Sequence, residues 1–121
     1  MSSRSLSLRR WHPPFSGYKS ASRLGLNPMI VGLLSIELHL AGAHSLKDKR
    51  AVLRRLKDRF AKLNVGVAEV AHQGLQQRAR LGVVAIGSDR NVAERTLERV
   101  VSEIERVEPG VLLRSDVEWL A

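Results

Sequence analysis

Between Ile30 and Leu40 the chain alternates: the even positions read Ile, Gly, Leu, Ile, Leu and Leu, while the odd positions end in Ser35, Glu37 and His39. Strand side chains point to opposite faces with a period of two, so this run predicts a strand with one buried face. Past Gly42 the period lengthens. Leu46, Val52, Leu53, Leu56, Phe60 and Leu63 fall within one arc at helical spacing, and Ser45 stands where a side-chain oxygen can accept from the first free backbone N–H groups. The pattern predicts a helix that runs to about Leu63. Two short alternating runs follow, "NVGVAEVAHQ" and "ARLGVVAIGS", joined around "GLQQR" as a hairpin. Ser88 or Asp89 then caps a second helix with Ala93, Leu97, Val100, Ile104 and Val107 in one stripe, and Pro109 with Gly110 ends it. "VLLRSDVEWL" completes the series as a last strand.

Strand, helix, strand, strand, helix, strand with right-handed crossovers gives a four-stranded antiparallel sheet with two helices on one face, the ferredoxin-like α+β arrangement (βαββαβ). The other face of the sheet is left open, and parity places Val31 and Leu33 on it. An uncovered face with apolar residues, flanked by two strand edges, favours self-association, so a homodimer through the sheet is expected.

Charge changes the picture in two ways. The chain carries a net charge of +8, but residues 1–28 hold five Lys or Arg and no acid, so the raw excess overstates the basicity of residues 29–121. That leader is rich in Ser and Arg, holds three of the four prolines and follows neither period, which predicts a disordered basic segment and a boundary at residue 28. Its composition also suits an organellar transit peptide, and Trp11, Phe15 and Tyr18 among cations suit base stacking. The strand pattern that begins directly at Met29 favours Met29 as the start of translation, with residues 29–121 as a single domain. The absence of cysteine removes disulfides, thiolate metal ligands and cysteine nucleophiles. No apolar run approaches the ~20 residues needed to span a bilayer. A cytoplasmic protein with no membrane contact is expected.

Within residues 29–121 the charge is polarised. Residues 47–62 hold eight Lys or Arg against Asp48 and Asp58, while residues 93–121 hold seven acids against four bases. On a helical wheel Lys47, Arg50, Arg54 and Lys57 form a row on one flank of the apolar arc, and Arg55, Arg59 and Lys62 form another. Lys47, Lys49 and Arg50 crowd the first turn, where backbone N–H groups already carry partial positive charge and acids are favoured. Each such cation costs only about 0.3–1 kcal/mol when exposed and is screened by salt, so a solvated face explains the row as well as a binding face does. Read as binding, the pattern assigns Lys47, Lys49, Arg50, Arg54 and Lys57 to an anion, with RNA phosphate the expected one.

Other chemistries find less support. Ferredoxin-like RNA binders that stack bases use aromatics on two central strands, and Ile30 to Leu40 and Ala79 to Ser88 contain none; Phe60 and Trp119 are the only aromatics after residue 28. Glu37, His39, Glu69 and His72 could be read as metal ligands, but residues 69 and 72 differ by an odd number and point to opposite faces unless a bulge intervenes, so no metal is assigned. Acylphosphatases share the topology and hold phosphate with an Arg at the helix start and an Asn elsewhere, for which Arg50 and Asn64 are available. The glycine-rich loop that lets N–H groups converge is absent from "AGAHSLKDK", and no Ser, His and Asp arrangement is visible, so no catalytic residue and no cofactor is assigned.

The segments "MIVGLLSIELHLAGAHSLKDKR", "NVGVAEVAHQ" and "QRARLGVVAIGSD" resemble the YlxP-like bacterial proteins catalogued as domain-of-unknown-function family 503, in one register from Met29 to the C-terminus. The resemblance implies a ferredoxin-like fold, a bacterial cytosolic origin, and genes that neighbour those for transcription termination, translation initiation and ribosome maturation; no catalytic residue comes with it. This chain departs from the family pattern at Ala71, where an acid is common, and at Gln76, where an aromatic is common. The resulting expectation is a non-enzymatic accessory factor linked to translation or ribosome maturation, with ribosomal RNA or a ribosome-associated factor as partner. A protein-binding module for an acidic partner is the alternative, ahead of an acylphosphatase-like phosphate-handling enzyme. The sheet-face homodimer is directly measurable: light scattering at high micromolar concentration should give a dimer mass, and a strictly monomeric mass contradicts it.

Overall fold

Alternation is realised in β1 (Ile30–His39), which buries Leu34, Ile36 and Leu38 at 1% exposure or less and turns Val31, Leu33, Ser35 and Glu37 to the other side. The structure, a computed structural model, describes residues 29–121, so the reading of residues 1–28 as a disordered leader lies outside the described residues. β1 lies in one sheet with β2 (Val65–Ala71), β3 (Arg78–Gly87) and β4 (Leu112–Trp119), in the order β2-β3-β1-β4. Every pairing is antiparallel. Two helices, α1 (Leu46–Phe60) and α2 (Arg90–Val107), make the crossovers, and the result is the ferredoxin-like α+β arrangement. Among the described residues no helix is long and apolar enough to cross a membrane.

Register explains the core. Leu34, Ile36 and Leu38 stand opposite Val83, Leu81 and Ala79, so six buried side chains of the two central strands face the same way. Leu53, Leu56 and Phe60 of α1 and Leu97, Val100 and Ile104 of α2 close over them. Each fully buried Leu, Ile or Phe is worth about 1.5–3 kcal/mol, which makes this single layer the main source of stability. Trp119 extends the layer to the β4 edge. It lies opposite Gly32 in register, where a Cβ would come within 2.7 Å of the indole, so glycine is what lets the ring lie across β1.

Helix boundaries follow from their caps. Ser45 is extended and its Oγ accepts from the Asp48 N–H at 3.0 Å, while Asp48 Oδ2 accepts in return from the His44 N–H at 3.0 Å. Such a reciprocal pair satisfies two donors at once. At the other end α1 stops at Phe60, short of the expected Leu63. The last turn tightens: Lys62 N–H donates to Arg59 O and Leu63 N–H to Phe60 O, three residues back instead of four. Leu63 still reaches the core, at 9% exposure, which is why the periodicity ran past the helix end. Of the two candidate caps for α2, Asp89 is the one used, accepting from the Asn91 N–H at 2.7 Å. Gly110 follows α2 at φ +85, a left-handed turn that glycine enters freely.

Candidate nucleic-acid interface

The rotation of α1 about its axis decides which cations reach solvent. Its inward stripe is Lys49, Leu53, Leu56 and Phe60, at spacings of four, three and four, so a lysine occupies the first core position. Lys49 is 2% exposed. Its Nζ lies 2.8 Å from Glu69 Oε2 and donates to His72 O at 2.6 Å and Leu75 O at 2.8 Å, so the buried ammonium has two hydrogen-bond acceptors and a carboxylate counter-charge. The Glu69 contact is an ion pair off the ideal hydrogen-bond direction, and Lys49 is the one partner of that oxygen. Lys49 therefore does not belong with the phosphate-contacting residues predicted from the sequence. It fastens α1 to the β2–β3 loop, where His72 holds a left-handed φ of +66. Gln77 completes the fastening by donating its Nε2–H bonds to Ala41 O and Ala43 O.

With Lys49 turned inward, Lys47, Arg50, Arg54 and Lys57 are all exposed. They recur every three or four residues, which puts them in one row roughly 15 Å long. None of the four forms an ion pair among the described residues. Arg50, Arg54 and Lys57 line a shallow recess toward the β2 edge, with Leu53 between them and Asp58 and Glu69 on its border. In the second row Arg55 is paired, while Arg59 and Lys62 form no ion pair among the described residues. Arg55 donates two bonds to Glu108 Oε2, at 3.0 and 2.7 Å, and ties α1 to the end of α2. The Glu103 carboxyl is held below its ordinary value first by the Arg106 hydrogen bond and less strongly by nearby arginine charge, that of Arg59 included. The helix start itself is closed by its own Ser45, His44 and Asp48, so the exposed basic surface runs along the helix and not at its tip.

The remaining sequence candidates are dispersed. Glu37 lies on the open sheet face within 3.4 Å of His72, Arg78 and Arg80, the imidazole contact being an ion pair when His72 is protonated. Glu69 stands opposite Leu81 on the helix side, so the hairpin's acid and histidine serve opposite faces of the sheet, with a bulge between Glu69 and Ala71. Arg50 lies in the first turns of α1 and Asn64 follows its far end, roughly 15 Å along the axis, so the pair considered for acylphosphatase chemistry is not brought together. Phe60 is fully buried and Trp119 sits on the helix side beneath Arg90, whose guanidinium carbon is 4.5 Å from the ring centroid. Neither presents a ring to the open face.

Lys49 was legible from its place in the stripe, four residues before Leu53 and seven before Leu56, and Glu69 from sharing the parity of Val65 and Val67. Charge alone grouped Lys49 with its exposed neighbours; position separates it.

Fold and surface together define a small ferredoxin-like domain with a basic α1. The chain belongs to the DUF503 family of proteins of unknown function, whose model matches residues 31–117. It is 38% identical over 77 residues to the uncharacterized protein YlxP of Bacillus subtilis (strain 168), a match that covers 63% of this chain and 84% of that protein. Among solved structures it is similar to the de novo designed protein Foldit4, with a TM-score of 0.51 at 16% identity over 76% of this chain and 96% of the design. That likeness concerns the fold alone.

Removing the Lys49 ammonium leaves Glu69 and two carbonyls without their donor. Lys49→Met should lower stability by about 2–4 kcal/mol and the melting temperature by ~10 °C or more, while Lys47→Met should stay within about 0.5 kcal/mol of the parent. Thermal denaturation followed by circular dichroism checks both; equal effects contradict the assignment of Lys49 to the interior.

Proposed function

We propose that the protein is a non-enzymatic accessory factor that contacts structured RNA through the row Lys47, Arg50, Arg54 and Lys57. One observation carries the reading: among the described residues these four cations are exposed, aligned in one row and without an ion pair. Lys49, Arg55, Arg78, Arg80, Arg106 and Arg114 are each paired with a carboxylate, and the remaining unpaired cations, Arg59, Lys62, Arg95 and Arg99 among them, lie off that row. A line of unneutralised charge on a rigid helix releases counterions when it meets a phosphate backbone, and that release drives affinity with little dependence on base identity. Among the described residues the open sheet face has no aromatic platform, which favours backbone contact over base stacking. The gene neighbourhoods implied by the family resemblance favour ribosomal RNA, met in the cytoplasm during translation or ribosome maturation.

Crosslinking in cells, followed by recovery of the attached RNA and protein, tests the proposal. The parent should carry RNA, and a variant with Arg50→Glu, Arg54→Glu and Lys57→Glu should lose most of it while keeping its melting temperature, because all three side chains are exposed. Equal recovery of RNA from both contradicts the reading. Recovery of an acidic protein in place of RNA, lost in the same variant, transfers the row to the protein-binding alternative.

A further inference from the structure

At the opposite edge of the sheet, α2 and β4 border an open groove of roughly 530 Å³. Its floor is apolar, formed by Leu97, Val101, Val117 and Trp119, and its α2 wall carries Glu94 and Glu98 one turn apart. Val117 remains 47% exposed although it faces the helix side of the sheet. Two helices cover four strands incompletely, and the shortfall falls on β4.

The acids of α2 and β4 divide into paired and unpaired. Glu103, Glu108 and Asp116 are neutralised by Arg106, Arg55 and Arg114 at 2.7–2.8 Å. Glu94 and Glu98, like Glu105 and Glu118, have no Lys or Arg partner among the described residues, and of these Glu94 and Glu98 line the groove. Arg90, one turn before Glu94, lies instead over the Trp119 ring. An apolar trough with two unneutralised carboxylates about 6 Å apart along one wall is the complement of a helix with apolar residues on one stripe and Lys or Arg four residues apart beside it. Strand addition at this edge is disfavoured, since Arg114, Asp116 and Glu118 charge β4 and the ladder shifts register between Glu37 and Leu38.

We propose that the α2–β4 groove docks a basic amphipathic helix of a partner protein, with an apolar side chain against Val117 and Trp119 and cations on Glu94 and Glu98. The site shares no residue with the α1 row and lies across the sheet from it, so the protein joins an anionic partner at one edge to a cationic helix at the other. Its failure and that of the RNA reading are separable for the same reason.

The test titrates the full ¹⁵N-labelled chain with a synthetic amphipathic helical peptide of Leu and Lys, and with a matching peptide of Leu and Glu. The Leu–Lys peptide should produce saturable shifts at the Trp119 indole N–H and at the Val101 and Val117 amides. Affinity should fall at least about tenfold in Glu94→Lys/Glu98→Lys, a pair of exposed positions whose fold is verified by an unchanged spectrum outside the groove. The Arg50→Glu, Arg54→Glu and Lys57→Glu variant should bind the peptide as the parent does. Shifts centred elsewhere, equal affinity in the Glu94/Glu98 variant, or equal binding of the Leu–Glu peptide would each overturn the proposal.

Discussion

The burial of one ammonium group governs the layout of this molecule. Moving a lysine out of water costs several kcal/mol unless its charge is paired and its hydrogens find acceptors, and Lys49 donates to His72 O and Leu75 O beside the Glu69 carboxylate. Those acceptors come from β2 and the loop that follows it, so the contact fixes both where α1 lies and how it is rotated. Once Lys49 faces inward with Leu53, Leu56 and Phe60, the helix period leaves Lys47, Arg50, Arg54 and Lys57 no orientation but outward. The exposed basic row is thus a geometric consequence of the buried pair.

Elements were legible wherever a single period ran unbroken. β1 and β3 alternate cleanly because one face of each is wholly buried, and α2 shows its stripe from Ala93 to Ile104 for the same reason. Legibility failed where residue type and position disagreed. Lys49 sits on the apolar stripe, yet its charge suggested the surface, and only the register of Glu69 opposite Leu81 reveals the partner that makes burial tolerable. Leu63 misled in the opposite sense: it is apolar and in phase, but it packs from a tightened turn after the helix has ended. The row itself was readable from spacing, whereas its lack of acid partners was not, since Arg55 differs from Arg50 and Arg54 only in the Glu108 that the fold brings near it.

Charge segregation acquires meaning from strand order. β2 and β4 are the two edges of the sheet, and the basic row borders β2 while Glu94 and Glu98 border the groove beside β4. Between them the central strands carry the core, and Glu37 of β1 faces Arg78 and Arg80 of β3.

The central claim is that the α1 row acts as free cations toward a phosphate backbone, and the salt dependence of affinity for a short duplex RNA measures it most directly. Four contacts predict a slope of about −3 to −4 in log affinity against log salt for the parent, falling to about −1 when Arg50, Arg54 and Lys57 are replaced by Glu. A slope in the variant that matches the parent, with both proteins folded, would contradict the account.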